Sequence, residues 1–277
     1  MIPYLQRKCH TGVAYMEKGV PIRSISRSIS ALRAINQHGS LSMMEISRAS
    51  KVPYPTACRI VQTLLYEGLI EQEPSRKRYR ATAMVQTLAQ GFQHGDHLVN
   101  IARPHILALT QEVGWPISIA IRVGRRMMLR DSTHANTSLT FENYYPGFTL
   151  PILDSASGKL SLAFAPDEDR EMILNWMRVS QDIDLDYLST AEASLDVAKI
   201  RQNGFAVQGR NHFNRTPGKT SSIAVPIFCD GVFEAAMTMV FFVTAMKIDA
   251  ALEKYLPVLT SYAAAISRDL SEPTGLA

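Results

Sequence analysis

Residues 42–82, SMMEISRASKVPYPTACRIVQTLLYEGLIEQEPSRKRYRAT, decide the fold of the N-terminal part of this chain. Ser42 and Glu45 form the S-x-x-E pattern of a capping box, in which each side chain bonds the other residue's helix-end amide. Residues 51–54 form a turn, because Pro53 disfavours helix in the residue before it. Pro55 suits the first turn of a further helix. The stretch therefore predicts two short helices joined by a tight turn.

The second of these helices has two chemically different faces, and Gly68 ends it. Its apolar face is made of Ala57, Ile60, Val61, Leu64 and Leu65. Its polar face carries Thr56, Arg59, Gln62, Thr63 and Tyr66. A short helix, a tight turn and a second helix with a polar N-terminal face indicate a helix-turn-helix.

The flanking residues extend this motif on both sides. Upstream, Ile25, Ile29, Leu32 and Ile35 share one helical face, with Ile46 and Ala49 as inward residues of the capped helix. Gly39 would end the first helix in a left-handed conformation. Downstream, residues 69–73 and 78–82 predict a two-stranded wing around Pro74 and Ser75. Arg76, Lys77, Arg78 and Arg80 give this wing a strong positive charge.

Charge is distributed unevenly along the chain. Residues 1–82 hold 13 Lys and Arg against 5 Asp and Glu, whereas the remainder holds 16 basic and 20 acidic residues. A basic module joined to a mildly acidic one indicates a polyanion partner for the first. The basic residues lie on the elements that would contact phosphate, which favours DNA binding over a protein-interaction module.

The composition limits the class of protein. A chain of 277 residues that is 46% apolar and 19% charged predicts two globular domains and excludes a disordered chain. No apolar run approaches the ~20 residues of a membrane helix, and no signal peptide is expected. Three cysteines without a C-x-x-C pair, Cys9, Cys58 and Cys229, favour a reducing cytoplasm over a disulfide framework or zinc site.

The C-terminal part mixes helices with strands. Helices are predicted over 96–113, 166–178, 191–204 and 252–270, and one more from a cap at Asp154 or Ser155 to Phe164. Strands are predicted over 115–123, 127–131, 136–143, 205–208, 222–228 and 232–244, with Asp230-Gly231 as a hairpin turn. In residues 115–123, apolar side chains alternate with others as they do in a half-buried strand. The pattern is typical of an α+β sensing domain.

Motifs of catalysis are weak. Residues 155–159, SASGK, lack the GxxxxGK[ST] phosphate-loop pattern, and GxSxG does not occur. His94 and His97 lack a third metal ligand nearby. We therefore expect no enzyme activity, no cofactor and no metal. Two other classes stay open: an enzyme with a nucleic-acid targeting module, and an architectural DNA-binding protein without a ligand.

Residues 22–82 resemble the winged helix-turn-helix of IclR-type bacterial regulators. Pro55-Thr56, Arg59 and residues 65–70 stand where that family has its own motif. The sequence departs from the pattern at Tyr54 and Cys58. The expected DNA-binding residues are Ser42, Lys51, Tyr54, Thr56, Arg59, Gln62, Thr63, Arg76, Lys77 and Arg78.

The rest of the chain resembles the effector domain of the same family. The likeness is carried by LPILDSASGKLSLAF (150–164), GFAV (204–207) and SSIAVP (221–226). It implies an N-terminal arm (1–21), a winged helix-turn-helix (22–82), a short linker helix (83–96), an α+β effector-binding domain of the GAF or profilin type (97–270) and a tail (271–277). It also implies a homodimer or homotetramer on double-stranded operator DNA.

The family's ligand pocket maps onto Ala156, Ser157, Gln208, Ser222 and Thr238. A helix N-terminus suits a carboxylate, so a small organic acid is expected there. Trp115, Phe205 and Met239 would wall the pocket and favour an aromatic acid.

Trp115-Pro116, SASG and SSIAVP are similar to regulators of hydroxyphenylpropionate catabolism. That likeness implies an activator, with RNA polymerase as a partner. A repressor that responds to a non-aromatic organic acid is the alternative.

Overall fold

The computed structural model of the protein describes residues 22–89, 97–140, 144–178, 195–210 and 218–272. The chain divides into two compact units, with the boundary between Asp96 and His97. Within the described part, no helix is long and apolar enough to cross a membrane.

The N-terminal unit packs three helices against a small antiparallel sheet. Its elements are α1 (Arg23–His38), β1 (Leu41–Ser42), α2 (Met43–Ser50), α3 (Tyr54–Tyr66), β2 (Ile70–Gln72) and β3 (Arg78–Ala81). The strand order is β1-β3-β2, so β3 pairs on both sides. This arrangement confirms the winged helix-turn-helix, and β1 adds a strand that the sequence did not predict.

The capping box is confirmed at the start of α2. The Ser42 amide donates to Glu45 Oε2 at 2.8 Å, and the Glu45 amide donates to Ser42 Oγ at 3.4 Å. The amide and hydroxyl of Ser42, with Arg78, hold the pKa of the Glu45 carboxyl below its usual value. Gly39 follows α1 with φ +78°, a conformation that L side chains rarely adopt.

The core of this unit is smaller than predicted. In α1 the buried residues are Ala31, Ala34 and Ile35, whereas Ile25 and Ile29 are 54% and 53% exposed. Ala49 in α2 is also exposed. The prediction that Ala49 points inward was wrong, and the predicted apolar face of α1 is buried only toward its C-terminal end. Helical periodicity selects a face of the helix, but it does not say how far along that face the core extends.

The predicted linker helix covers 83–96. The structure has a 3₁₀ helix at Ala83–Ala89, with Met84 and Leu88 exposed. Residues 90–96 lie outside the described residues.

The C-terminal unit is an α+β domain built on a six-stranded antiparallel sheet, which confirms the predicted class. Its helices are α4 (His97–Val113), α5 (Ala156–Phe164), α6 (Asp167–Arg178), α7 (Val197–Asn203) and α8 (Ile248–Ser271), with a 3₁₀ turn at His134–Asn136. Its strands are β4 (Ile117–Val123), β5 (Arg126–Ser132), β6 (Thr149–Pro151), β7 (Ala206–Gln208), β8 (Thr220–Cys229) and β9 (Val232–Phe242). The order across the sheet is β6-β5-β4-β9-β8-β7.

Helices cover the two faces of this sheet unequally. The long helices α4 and α8 pack on one face and enclose the largest apolar core, which includes Ile117, Met237 and Phe241. We call this the closed face. The shorter α5 packs on the other face, against the small side chains of Ala224 and Ala236. We call this the cleft face, because it leaves a cavity beside α5.

Several predicted elements of this unit need correction. Residues 117–120 of β4 are buried on both sides, because α5 covers the face predicted to be exposed. Residues 137–140 form no strand, and 141–143 lie outside the described residues. Helix α8 begins four residues before the predicted start at Leu252. Helix α7 begins at Val197, and the predicted residues 191–194 lie outside the described part.

Candidate functional site

The outer face of α3 presents polar side chains to solvent. Arg59, Gln62 and Thr63 are exposed, while Ile60 and Val61 between them are buried. The Thr63 hydroxyl donates to the Arg59 carbonyl at 3.0 Å, so it is already used within the helix. Arg59 and Gln62 thus remain as the long side chains available to a partner.

The start of α3 adds residues at the tight turn. Lys51 ends α2 in a left-handed conformation with φ +55° and is exposed. Tyr54 is the first residue of α3 and is half-exposed, and Thr56 is partly buried. Charge and hydrogen bonding with Cys58, one turn later, hold the pKa of Tyr54 above its usual value. The phenol therefore stays protonated and keeps a donor.

The wing separates into free and occupied cations. Arg76 and Lys77 lie exposed in the turn between β2 and β3. Arg78 instead donates to the Ser40 carbonyl at 2.7 Å and pairs with Glu45 Oε2 at 2.9 Å. Ser42 and Arg78, both predicted to contact DNA, therefore serve the capping box and its attachment to the wing. Arg80 pairs with Glu71 across the hairpin at 2.6 Å.

A second candidate site is the cleft in the C-terminal unit, which encloses about 470 Å³ including its open mouth. Four of the predicted effector residues line it: Ala156, Ser157, Ser222 and Thr238. Sequence reasoning missed its other lining residues, which are Ser118, Ala120, Leu129, His134, Tyr144, Leu150, Ser155, Thr220, Ser221 and Val240. The cleft therefore joins the end of α5 to residues from β4, β5, β8 and β9.

The N-terminus of α5 forms one end of the cleft. Ser155 is the N-cap: its hydroxyl accepts from the Gly158 amide at 3.1 Å and donates to the Pro151 carbonyl at 2.9 Å. The Ala156 and Ser157 amides precede the first intrahelical bonds and form no hydrogen bond within the described part. Two free amides at the positive end of a helix dipole form a favourable place for an anion.

Gly158 fixes where this helix end sits. A Cβ at this position would lie 1.8 Å from the Ile152 carbonyl oxygen, a backbone atom that no side-chain rotation can move away. The backbone of α5 therefore touches the segment after β6 directly, which only glycine permits.

Hydroxyl groups line the floor of the cleft. Ser118 on β4 lies directly opposite Thr238 on β9, and Ser222 on β8 lies opposite Val240. All three hydroxyl-bearing residues are buried. Thr238 Oγ1 has no hydrogen-bond partner among the described residues. A buried hydroxyl without a partner costs free energy, which a polar ligand could recover.

His134 also lines the cleft and lies just after β5. It is 2% exposed, and burial lowers the pKa of its imidazole to about 4, so the ring is neutral at neutral pH. Its Nδ1 lies 2.5 Å from Ser132 Oγ, whereas Nε2 is buried without a partner among the described residues. The ring meets Tyr144 edge to face at 4.6 Å.

The structure places the predicted aromatic wall elsewhere. Trp115 is buried on the closed face, where Nε1 donates to Tyr255 Oη at 3.3 Å. Phe205 and Met239 pack against the same core. Trp115 comes just before β4 and packs with Ile117 in the core of the closed face. Successive side chains of a strand point to opposite faces, so Ser118 faces the cleft. The assignment of these three residues to the pocket wall was wrong.

Gln208 lies beside the cleft without lining it. It stands opposite Ser222 in the β7–β8 pairing, but its Nε2 donates to the neighbouring Gly209 carbonyl at 3.2 Å. Ser118, Thr220 and Ser221 could have been found from strand alternation and the β8 sequence. Nothing in the sequence around His134 or Tyr144 indicated a pocket.

Comparison with known proteins relates both units to one family. Residues 24–74 match the IclR helix-turn-helix domain, and residues 91–268 match the family described as bacterial transcriptional regulator IclR C-terminal. The chain is 24% identical over 216 residues to the DNA-binding transcriptional repressor YiaJ of Escherichia coli, covering 76% of this chain and 75% of that one. It is 24% identical over 158 residues to the regulator TsaQ1/TsaQ2 of Comamonas testosteroni, spanning 57% of each.

Two solved structures show the same fold. An IclR family regulator from Brucella abortus gives a TM-score of 0.67 at 20% identity, covering 91% of this chain and 93% of that one. An IclR homolog from Microbacterium hydrocarbonoxydans complexed with 4-hydroxybenzoate gives 0.63 at 22% identity, covering 89% and 98%. The C-terminal family match alone takes in more than half of the residues, and this chain belongs to the IclR family of bacterial transcriptional regulators.

Proposed function

We propose that the protein is a ligand-responsive activator that binds operator DNA as a homodimer or homotetramer and responds to a small aromatic acid. The observation that carries the effector part is the cleft, where two free helix-end amides face a floor of buried hydroxyls. An activator would engage RNA polymerase once the acid is bound.

The chemistry of the cleft supports an acid with an apolar body. The amides of Ala156 and Ser157 suit a carboxylate, because they lie at the positive end of α5. Leu129, Leu150 and Tyr144 line other parts of the cleft and suit a ring. The 4-hydroxybenzoate bound to the Microbacterium homolog is an acid of this kind.

A second candidate differs in the sign of regulation and the ligand. YiaJ and the E. coli protein IclR are both described as repressors. This chain is 21% identical to IclR over 194 residues. These two relatives favour a repressor, and the second candidate is a repressor that responds to a non-aromatic organic acid. In vitro transcription from the cognate promoter, with and without the protein, separates the two signs of regulation. Added acid alone does not, because it would raise transcription both through an activator that recruits polymerase and through a repressor that is released. An activator also requires the protein for transcription, whereas removing a repressor raises it.

For the DNA-binding unit, we propose that residues 22–82 form the operator-binding module. Arg59 and Gln62 would read base edges from α3, because they are exposed on its polar face. Lys51, Arg76 and Lys77 would bind phosphates, which positions the module without reading sequence. Tyr54 and Thr56 would contact the DNA backbone near the start of α3, and Thr63 would contact it near the end of α3. Arg78 and Ser42 would act indirectly, by holding the wing and α2 together.

The test compares two cations of this unit. Arg59→Ala should cost about 1–3 kcal/mol of operator binding and relax base preference. Lys77→Ala should weaken binding to all sequences alike and reduce the salt slope by about one. Titrations of operator and scrambled DNA at several salt concentrations measure both. Unchanged affinity and specificity in Arg59→Ala would refute the orientation proposed for α3.

The effect of effector binding would be transmitted to the DNA-binding unit through residues 83–96. An acid changes operator affinity only as far as it binds one quaternary arrangement more tightly than another. Thermal unfolding of the full chain with a panel of aromatic and aliphatic acids identifies the effector class. Operator titration with the best acid then tests the coupling. A panel in which only aliphatic acids stabilise the protein would replace the aromatic proposal with its alternative.

A further inference from the structure

The lining of the cleft combines two kinds of chemistry. The helix-end amides of α5 and the hydroxyls of β8 and β9 suit an anion. Leu129 and Tyr144 add apolar and aromatic surface with one polar group, His134. An acid whose carboxylate binds the amides therefore has its body in the same cleft as His134.

The hydrogen bonds around His134 define which atom faces the ligand. Ser132 Oγ accepts from the His134 backbone amide at 3.3 Å and lies 2.5 Å from His134 Nδ1. The Ser132 hydroxyl can donate to Nδ1 or accept a second hydrogen bond from it, so Nδ1 is paired in either ring tautomer. Nε2 is the buried ring atom without a partner among the described residues. It carries the ring hydrogen in one tautomer and a lone pair in the other, so in both it can pair with a hydroxyl group in the cleft.

We propose that His134 is the specificity-determining residue for the effector, and that its Nε2 binds a second oxygen, distal to the carboxylate, of a hydroxylated aromatic acid. This inference rests on the proposed function, because it assumes that an aromatic acid occupies the cleft. Two observations carry it: an unpartnered nitrogen on a residue that is 2% exposed, and the position of that residue in the lining of the same cleft as the start of α5.

The sheet register shows how far the ligand must reach. The Thr133 amide bonds the Ile117 carbonyl, so residue 134 lies beside the start of β4. Thr238 lies on β9, two strands from β5. At about 4.8 Å per strand, the two backbones are roughly 10 Å apart. A substituted aromatic acid can contact both sides of such a cleft, whereas a two-carbon acid cannot.

The neutral imidazole also selects the kind of oxygen. A second carboxylate would be a buried charge without a cation opposite it, which is costly. A ring hydroxyl is neutral and can accept from Nε2. The geometry therefore favours hydroxylated monoacids over diacids and over unsubstituted acids.

Calorimetry on the full chain tests this with two acids that differ by one hydroxyl: 3-phenylpropionate and 3-(3-hydroxyphenyl)propionate. The wild type should bind the hydroxylated acid about tenfold more tightly, because the bare acid leaves Nε2 unpaired. In His134→Phe, which keeps an aromatic ring against Tyr144, the two affinities should agree within about twofold. Ser132→Ala should reduce the preference by a smaller factor, since Nδ1 loses its hydrogen-bond partner.

The readout is the ratio of the two affinities, which a uniformly weakened site would not change. A tenfold preference that persists in His134→Phe would overturn the assignment. Equal binding of both acids to the wild type would overturn it too, while leaving the proposed aromatic effector intact. Binding of neither acid to the wild type would overturn the proposed function together with this inference. Should His134→Phe fail to fold, His134→Gln and Ser132→Ala are judged by the same ratio.

Discussion

The two faces of the six-stranded sheet are built from the same strands and have opposite properties. On the closed face, Ile119, Met237 and Phe241 are fully buried under α4 and α8. On the cleft face, Ser118 and Thr238 are small and polar, and a cavity remains. The difference teaches that one face stabilises the domain, while the other gives up packing to leave room for a ligand. Four substitutions test this division, taken from the largest expected effect to the smallest.

Phe241→Ala on the closed face should lower the free energy of unfolding by about 3–5 kcal/mol. The ring is fully buried and meets Trp115 at 6.4 Å, so its removal leaves a cavity in the main core. Val240→Ala is the matched control, because Val240 is the next residue along the strand and lines the cleft. It should cost about 1 kcal/mol or less. Urea unfolding measures both, and equal losses would contradict the division.

His134 gives the cleft face a pH dependence. Its folded pKa of about 4 lies below the ordinary value of 6.5, so between these values the unfolded chain binds the extra proton. The contribution of the neutral His134 to the free energy of unfolding is therefore fully present above about pH 6.5. It is lost as the pH falls toward 4, by about 3 kcal/mol in all.

Urea unfolding of wild type and His134→Phe at several pH values isolates this contribution. The stability difference between them should shift in favour of the variant as the pH falls from about 7.5 to 4.5. If the free energies of unfolding of the wild type and of His134→Phe change in parallel over that pH range, the imidazole is not held neutral by burial.

Ser157→Leu should remove the effect of the effector on stability. At a hundredfold excess over the dissociation constant, a ligand stabilises the native state by about 2.7 kcal/mol, and a leucine at the helix end would block the cleft. Gln111→Leu on the exposed side of α4 adds the same side chain away from the cleft and should respond as the wild type does. Thermal unfolding with and without the best acid measures the shift. A normal response from Ser157→Leu would remove this cleft from consideration.

Thr238→Val should have the smallest effect, and the sign should be unusual. The hydroxyl has no partner among the described residues, so its replacement by a methyl group should leave stability unchanged or raise it by up to about 1 kcal/mol. Thr110→Val is the contrast, because Thr110 Oγ1 lies 2.6 Å from Thr133 Oγ1 and the loss of that bond should cost about 1–2 kcal/mol. Equal destabilisation by the two substitutions would mean that Thr238 has a structural partner.

Local chemistry explains what could be predicted from the sequence. The capping box at Ser42 and Glu45 involves residues three apart, and the hairpin at Asp230 involves residues adjacent in the chain. The order of helices and strands follows from similar local patterns. The N-cap at Ser155 belongs to the same class, which is why the start of the helix beside the cleft could be predicted.

The features that escaped prediction depend on distant residues. Arg78 is held by Ser40, 38 positions earlier, so its charge looked available to DNA. Trp115 and Ser118 sit three residues apart on opposite faces, and alternation cannot say which face a helix leaves open. His134 reaches the cleft only because β5 pairs beside β4, a fact of topology that no local pattern contains.

The unpartnered hydroxyl of Thr238 has a consequence for the history of such a protein. Because a hydroxyl such as that of Thr238 forms no hydrogen bond among the described residues, a lineage can exchange such a side chain without passing through an unfolded intermediate. The closed face and α3 can meanwhile stay constant. A gene duplicate could thus acquire a new chemical signal while it still recognises its old operator, and the two copies would place one promoter under two inputs.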